Sequence, residues 1–179
     1  MTLQQHFEQL ATYNQWMNAK LYDIAAKLSA SDLTEERGAF FGSIVGTLNH
    51  IAVADTIWLK RFATHAASSS RTLEVMVALP APEQLDQTLF DDLMGLKAHR
   101  HWLDSVIINW VAALTEDDLS TTLSYHNRQG VASKRRYSSL ILHFFNHQTH
   151  HRGQVSTLLS QAGVEVGVTD LMALIPEEV

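Results

Sequence analysis

The sequence predicts an all-α protein, an antiparallel four-helix bundle in which one domain covers residues 1–179. Proline occurs only three times, so several long stretches contain nothing that breaks a helix. Within these stretches apolar residues recur at steps of three and four, which places them on one helical face. With 46% hydrophobic residues and no cysteine, the 179 residues can bury one core without disulfides.

Two helices are predicted in the first third of the chain. The first covers residues 3–28, with Thr2 as its N-cap, because a threonine oxygen can accept a hydrogen bond from the first turn. Residues 29–42 are rich in serine, charged residues and glycine, which favours turns. The second helix is predicted over 43–64, and Ser43 is its N-cap.

The middle of the chain is predicted to hold a long connection and a third helix. Residues 65–82 include three consecutive serines and two prolines, so they form a surface connection, with a short helical turn at 71–78. The third helix is predicted over 83–114, where leucine, valine and tryptophan recur on the face that would turn inward.

A small hairpin and a fourth helix complete the predicted fold. The segment 121–137 has polar arms around a turn that ends in Gly130, which is typical of a two-stranded hairpin. The fourth helix covers 138–162 and ends at Gly163, where glycine can adopt a left-handed conformation. The residues that follow, to Val179, are predicted to be a packed, mostly irregular tail. Four helices bury their apolar faces most simply against one another, as a bundle.

Composition argues against several classes of protein. Thirteen basic and nineteen acidic residues give a net charge of −6, the wrong sign for binding phosphates, so no nucleic-acid partner is expected. The N-terminal residues lack a basic stretch followed by an apolar one, and the most apolar run, 106–114, is short and interrupted by Asn109. We therefore expect a cytoplasmic protein with no membrane partner. Because cysteine is absent, any thiol chemistry must use an exogenous thiol.

Ten histidines stand out, and two of them have the spacing of metal ligands. His147 and His151 are four residues apart, so on a helix they differ by a rise of about 6 Å and a rotation of about 40°. Both imidazoles can therefore reach one ion. His50, in an apolar part of the second helix, is the candidate for a third nitrogen. Three histidines from two helices would leave a coordination position open, as in catalytic metal sites.

The same histidines are also compatible with an ordinary role as buried residues that hydrogen-bond inside the core. A lone histidine such as His50 usually has that role, and a helix can carry two histidines four residues apart by accident. The apolar residues around His147 and His151 favour a metal, because several neutral imidazoles in a core would need many hydrogen-bond partners. A metal ion satisfies their lone pairs directly.

The remaining histidines have less specific assignments. His143 extends the stripe by one turn and His150 lies about 100° from its neighbour in the pair, so each is a further ligand, a hydrogen-bonding neighbour of the ligands or a surface residue. His99 and His101 flank Arg100 and are predicted to mark a solvated face. No role is assigned to three others in terminal or loop-like settings: His6, His65 and His126.

Three familiar catalytic motifs do not fit this sequence. Residues 147–151 have the spacing of zinc proteases, but Gln148 stands where their glutamate acts as general base. The sequence contains no Glu-x-x-His, which excludes a ferritin-like di-iron oxidase. Residues 42–46 have the wrong spacing for a Gly-x-Ser-x-Gly nucleophile.

The chain resembles the DinB-like (damage-inducible, YfiT-related) family of four-helix-bundle metalloenzymes over nearly its full length. The most specific match is the Asn-His-x-x-His-His-Arg-Gly-Gln stretch that starts at residue 146, combined with an upstream histidine. The matching segments are 13–18, 48–51 with Asp55, 58–59, 146–154 and 169–171. The resemblance maps the metal ligands of the family onto His50, His147 and His151, with water at the remaining position.

This resemblance also implies a chemistry. It implies a divalent metal, usually zinc or nickel, and a homodimer. For the better-understood relatives it implies thiol-dependent transferase or isomerase chemistry on a small-molecule substrate, with a low-molecular-weight thiol as co-substrate. The name of the family refers to induction by DNA damage, which concerns regulation and says nothing about contact with DNA.

Two functions follow as hypotheses. In the first, the protein is a metal-dependent transferase or hydrolase in which the ion binds a thiolate or activates water. Its candidate helpers are Tyr13, Asn146, Gln154 and Asp55. In the second, it is a non-catalytic stress-induced metal-binding or dimeric interaction protein, whose structural site would recruit a fourth protein ligand. In either case, acid should weaken metal binding between about pH 7 and 5 as imidazoles become protonated.

Overall fold

A computed structural model describes residues 1–127 and 129–177. This part of the chain is mostly helical and contains one antiparallel two-stranded sheet, as the sequence predicted. The helices are α1 (Leu3–Ala25), α2 (Ala30–Thr34), α3 (Ile44–Ala63), α4 (Glu74–Val77), α5 (Leu93–Ala112), α6 (Glu116–Ser120) and α7 (Tyr137–Gln161), and the strands are β1 (Thr122–His126) and β2 (Ala132–Arg136). Two 3₁₀ segments cover Ser68–Leu73 and Leu171–Leu174.

The helix-terminus signals in the sequence have the predicted roles. Thr2 caps α1 by accepting a hydrogen bond from the Gln5 amide, and the Gln5 side chain accepts one from the Thr2 amide in return. The Ser43 hydroxyl accepts a hydrogen bond from the Gly46 amide at the start of α3. Gly163 follows α7 with a φ of 81°, the left-handed conformation expected there.

The start of the third long helix was predicted ten residues too early. The helix begins at Leu93, after Asp92 caps it by accepting a hydrogen bond from the Gly95 amide. The amides of Leu89 and Phe90 donate instead to the Asn49 side-chain oxygen, at 2.8 and 3.3 Å. Because these amides are bound to a side chain of α3, the preceding segment is a loop that packs on α3, although its sequence has helical periodicity.

Two short helices were not predicted from the sequence. Helix α2 lies within the segment 29–42, for which only turns were predicted, and α6 precedes the hairpin. Each begins with a reciprocal hydrogen-bonded cap between a hydroxyl residue and an aspartate three positions later. The helical turn predicted at 71–78 is present as a 3₁₀ segment that continues into α4.

The four long helices share one hydrophobic core. Helix α1 packs against α5 and α7, and α3 packs against the same two helices. Large fully buried side chains fill the centre, and Phe62 on α3 contacts Trp110 and Phe144 on the facing helices. Because α3 and α7 are neighbours, side chains from both can converge on one point. None of the described helices combines the length and apolar character needed to cross a membrane.

Candidate metal centre

Three histidines converge where α3 packs against α7. The Nε2 atom of His50 lies 3.4 Å from Nε2 of His147 and 3.2 Å from Nε2 of His151, and the two histidines of α7 are separated by 3.1 Å. His50 and His151 are buried, and His147 is half-buried. The structure therefore brings together the same three residues that the spacing selected as metal ligands.

The triangle of nitrogens has the size that one small cation requires. In a tetrahedral site, nitrogens about 2.0 to 2.1 Å from the ion lie about 3.3 Å from one another. The three Nε2 atoms are 3.1 to 3.4 Å apart. One divalent ion can thus contact all three imidazoles while the helices keep their positions.

Hydrogen bonds fix which nitrogen carries the lone pair toward the centre in two of the three rings. His50 donates from Nδ1 to the Leu85 carbonyl at 2.8 Å, because a carbonyl oxygen can only accept. His151 donates from Nδ1 to the side-chain oxygen of Gln154, also at 2.8 Å. Both rings therefore present unprotonated Nε2 atoms to each other at 3.2 Å. Facing lone pairs repel, and a cation between them removes this repulsion.

The environment of the cluster keeps its imidazoles neutral. Burial lowers the pKa of His50 to about 4, although its hydrogen bond to the Leu85 carbonyl opposes this shift. Burial also lowers the pKa of His147 to about 3, with the neighbouring histidines adding to the effect. Burial likewise lowers the pKa of His151. At neutral pH all three imidazoles are therefore neutral, and each ring has one unprotonated nitrogen that can act as a ligand.

These shifts change the pH dependence expected from the sequence. Protons compete with a metal only near and below the pKa of the free imidazoles, and burial moves all three pKa values below 6.5. We therefore expect affinity for a divalent metal to fall less between pH 7 and 6 than it would with three ordinary imidazoles, and to fall most steeply near and below about pH 4, where His50 also becomes protonated. Titration with Co²⁺ against a chromophoric chelator, corrected for protonation of the chelator, measures this. A fall centred near the ordinary histidine pKa would contradict it.

Phe41 is a member of the site that the sequence analysis missed. Its ring stacks on His50 with centroids 3.7 Å apart and planes 15° apart, and meets His151 edge-on at 5.6 Å. Phe41 therefore covers two of the three imidazoles. A usable signal was present, because two consecutive phenylalanines stand between Gly38 and Gly42 in a segment otherwise typical of turns.

The predicted helper residues have different positions relative to the cluster. Gln154 contacts His151 directly, as proposed from the sequence. Tyr13 donates its hydroxyl to the Thr169 carbonyl at 2.6 Å. Asn146 is exposed on α7. Only Gln154 is therefore bound to one of the three imidazoles.

Two further histidines flank the cluster without joining it. His143 is exposed, and its ring lies 6.0 Å from His147 and 5.2 Å from Trp58, measured between centroids. His150 is exposed as well, 4.9 Å from the His151 ring. Among the described residues, the group that could hold an ion contains three histidines and no fourth histidine or carboxylate.

The prediction of a solvated face around Arg100 was wrong. Arg100 is 1% exposed and points into the core. His99 is half-buried, with its ring 5.1 Å from Phe90 and 5.5 Å from Trp102, and only His101 is exposed as predicted. The charged residue points inward because acidic groups on other turns and helices meet it there.

Arg100 is the centre of a buried ion-pair network. It hydrogen-bonds to Asp55 on α3, and its Nη2 atom lies 3.0 Å from a carboxylate oxygen of Asp104. Gln148 on α7 donates to the other oxygen of Asp55 at 2.8 Å. Burial raises the pKa of Asp55 to about 6, and Arg100 opposes this rise. Asp55 is thus an ion-pair partner in the core, and none of its hydrogen bonds is to an imidazole of the cluster.

The network extends to α1 through amide side chains. Asn14 and Asn18 donate to the same oxygen of Asp104, at 3.1 and 2.9 Å. Asn14 also accepts a hydrogen bond from Arg152 on α7. Arg152 is only 3% exposed, and it also donates to Thr149 at 3.1 Å. Burial lowers the pKa of Arg152 to about 10. Two arginines and two aspartates balance in charge, and every long helix contributes a member.

The fold is mostly helical, and three imidazoles converge in it without a fourth ligand among the described residues. These two features define the class: a helical protein with a candidate metal site that has an open coordination position. The chain belongs to the DinB family, whose model matches residues 2–178. It is 27% identical over 161 residues to Protein DinB of Bacillus subtilis (strain 168), and this match covers 90% of this chain and 88% of that protein. No solved structure gives a significant match. The family resemblance stated from the sequence motifs is confirmed.

Proposed function

We propose that the protein is a metal-dependent enzyme in which His50, His147 and His151 hold one divalent ion, zinc or nickel. The observation that carries this proposal is the cluster of three inward-facing nitrogens without a fourth protein ligand among the described residues. A structural site would satisfy the ion with four protein ligands, whereas an open position accepts a substrate or a reacting water. The four long helices would form the antiparallel bundle expected for this family.

The chain itself orients the ligands and limits access to them. The Leu85 carbonyl holds the His50 ring, and the Gln154 amide holds the His151 ring, so two Nε2 lone pairs keep their direction without the ion. Phe41 shields one side of His50 from water. A bound ion would supply Lewis acidity, which stabilises a thiolate or lowers the pKa of bound water.

The reaction we favour is transfer chemistry that uses an exogenous low-molecular-weight thiol, with hydrolysis as the related alternative. The chain contains no cysteine, so a thiol nucleophile must come from a co-substrate. We also propose that the protein acts on a small molecule in the cytoplasm and that it is a homodimer. The net charge of −6 does not favour DNA as a partner.

Metal reconstitution tests the proposal. The protein is stripped with a chelator, dialysed against Zn²⁺, Ni²⁺ or Co²⁺, and analysed for metal content, and we expect one ion per chain. Adding a small thiol to the Co²⁺ form should then change its visible absorption, because the thiolate enters the open position. Absence of stoichiometric metal would refute the site. Stoichiometric metal with an unchanged spectrum would support a closed, non-catalytic site instead.

A further inference from the structure

An exposed aromatic turn stands beside the candidate metal centre. Phe40 is 86% exposed, and its ring meets Phe41 edge-on with centroids 4.8 Å apart. Phe41 in turn stacks on His50 and contacts His151. Two phenylalanines therefore lead from solvent to the imidazoles. The Phe40 ring is thus free to pack against a molecule bound beside the imidazoles.

The backbone holds this turn in a fixed position. Gly38 and Gly42 have φ values of 74° and 71°, a conformation that favours glycine, and the Gly42 amide donates to the Ala39 carbonyl at 2.8 Å. The Phe41 carbonyl oxygen lies so close to α3 that a Cβ atom at Gly46 would be 2.2 Å from it. The absence of a side chain at Gly46 therefore lets the turn seat against the first turn of α3.

We infer that the Phe40–Phe41 turn is a binding wall of the metal centre, and that the substrate carries an aromatic or flat apolar group beside its metal-binding group. The inference rests on the proposed function, since the substrate must occupy the open position. A group attached to the metal-binding atoms of the substrate would lie near the turn that covers His50, and it could pack against the exposed face of Phe40. The wall would select substrates by apolar contact and leave the metal-binding chemistry unchanged.

A pair of metal-binding probes isolates the aromatic contact. Acetohydroxamate and benzohydroxamate share a metal-binding group and differ in that only the second carries a phenyl ring. We expect the Co²⁺ protein to bind benzohydroxamate about 10-fold more tightly, since burying and stacking one ring is worth about a factor of ten. The ratio of the two dissociation constants is measured from the change in cobalt absorption.

Variants assign any preference to the turn. In Phe40→Ala the ratio should fall to about 2 or less, whereas Met94→Ala, which removes another highly exposed side chain from a different groove, should keep the wild-type ratio. Gly46→Ala should also lower the ratio, because its Cβ displaces the Phe41 backbone. Phe40→Ala removes an exposed ring, so the test does not depend on whether Gly46→Ala folds.

The outcomes separate this inference from the proposed function. If the wild-type metal protein binds both probes equally, or if Phe40→Ala keeps the full preference, the aromatic wall is refuted while the open metal site stands. If metal is bound and neither probe binds, the coordination position is closed, and the proposed function fails together with the inference. A preference that is lost in Phe40→Ala and retained in Met94→Ala supports the wall.

Discussion

Replacing His50 with alanine should weaken divalent-metal binding by at least about 100-fold, above the 10- to 100-fold loss typical of residues that only orient a ligand. His50 supplies the only nitrogen of the described cluster that comes from α3. Without it, His147 and His151 remain as two ligands on one helix, half of a tetrahedral shell. Competition titration with Co²⁺ measures the loss, and circular dichroism and thermal unfolding show whether the metal-free variant keeps its fold.

Two histidines of α7 provide matched controls for this variant. His143→Ala and His150→Ala remove imidazoles whose rings lie close to the cluster, yet both are exposed and neither belongs to the group of converging nitrogens. We expect each to bind metal within about 3-fold of wild type, because neither supplies a converging nitrogen, and His150 is exposed and hydrogen-bonds at 3.4 Å to Gln154 rather than to a cluster imidazole. Wild-type affinity in His50→Ala would show that the metal is held elsewhere, and a large loss in either control would show that the ligand set is incomplete.

The three converging histidines could be selected from sequence because the relevant geometry is local. His147 and His151 share a face through helical periodicity alone, and a predicted neighbouring helix offered His50 in an apolar setting. The partners that orient these rings were harder to find. Gln154 lies one turn from its histidine and was selected, but Leu85 belongs to a loop whose path depends on Asn49 in α3. No periodicity in that loop could reveal it.

The buried network shows where sequence reasoning failed. A solvated face was predicted where His99 and His101 flank Arg100, and arginine is indeed mostly exposed in proteins. Arg100 is buried against Asp55 on α3, which Gln148 on α7 hydrogen-bonds in turn, so the local pattern could not show it. A partial signal existed in two pairs four residues apart, Asn14 with Asn18 and Arg100 with Asp104. Each pair is polar within a predominantly apolar helix face.

The structure also explains why α7 has a glutamine at position 148, where the zinc-protease motif has a glutamate. Gln148 is fully buried and donates its amide to Asp55, so it faces the core network rather than the ion site. A glutamate there could still accept from Arg152, which lies 3.4 Å from the Gln148 oxygen, but it would lose the amide donor and place a second carboxylate against Asp55, where the two charges repel. The residue type that excluded a zinc-protease mechanism is therefore explained by packing between α3 and α7.

Arg100→Met is expected to destabilise the fold by about 3 to 5 kcal/mol, the cost of breaking a buried ion pair by removing one partner. Asp55 and Asp104, which are 1% and 3% exposed, would both lose their cationic partner. Methionine fills much of the vacated space, so the loss reports mainly the stranded carboxylates. Urea unfolding of wild type and variant under metal-free conditions measures the difference. Lys97→Met on the same helix is the control, because its surface ion pair with Asp23 should contribute only about 0 to 1 kcal/mol.

The pH dependence of this difference identifies its electrostatic cause. Burial already raises the pKa of Asp55 to about 6 in the presence of Arg100, and removing the arginine should raise it further. A carboxyl whose pKa is higher in the folded than in the unfolded state takes up protons more readily when folded, so acid relieves its destabilising effect. The difference between Arg100→Met and wild type should therefore shrink from pH 8 to pH 5. The histidine contributions common to both proteins cancel in this comparison. A difference that stays constant over this range would show that lost packing, and not the stranded charge, causes the destabilisation.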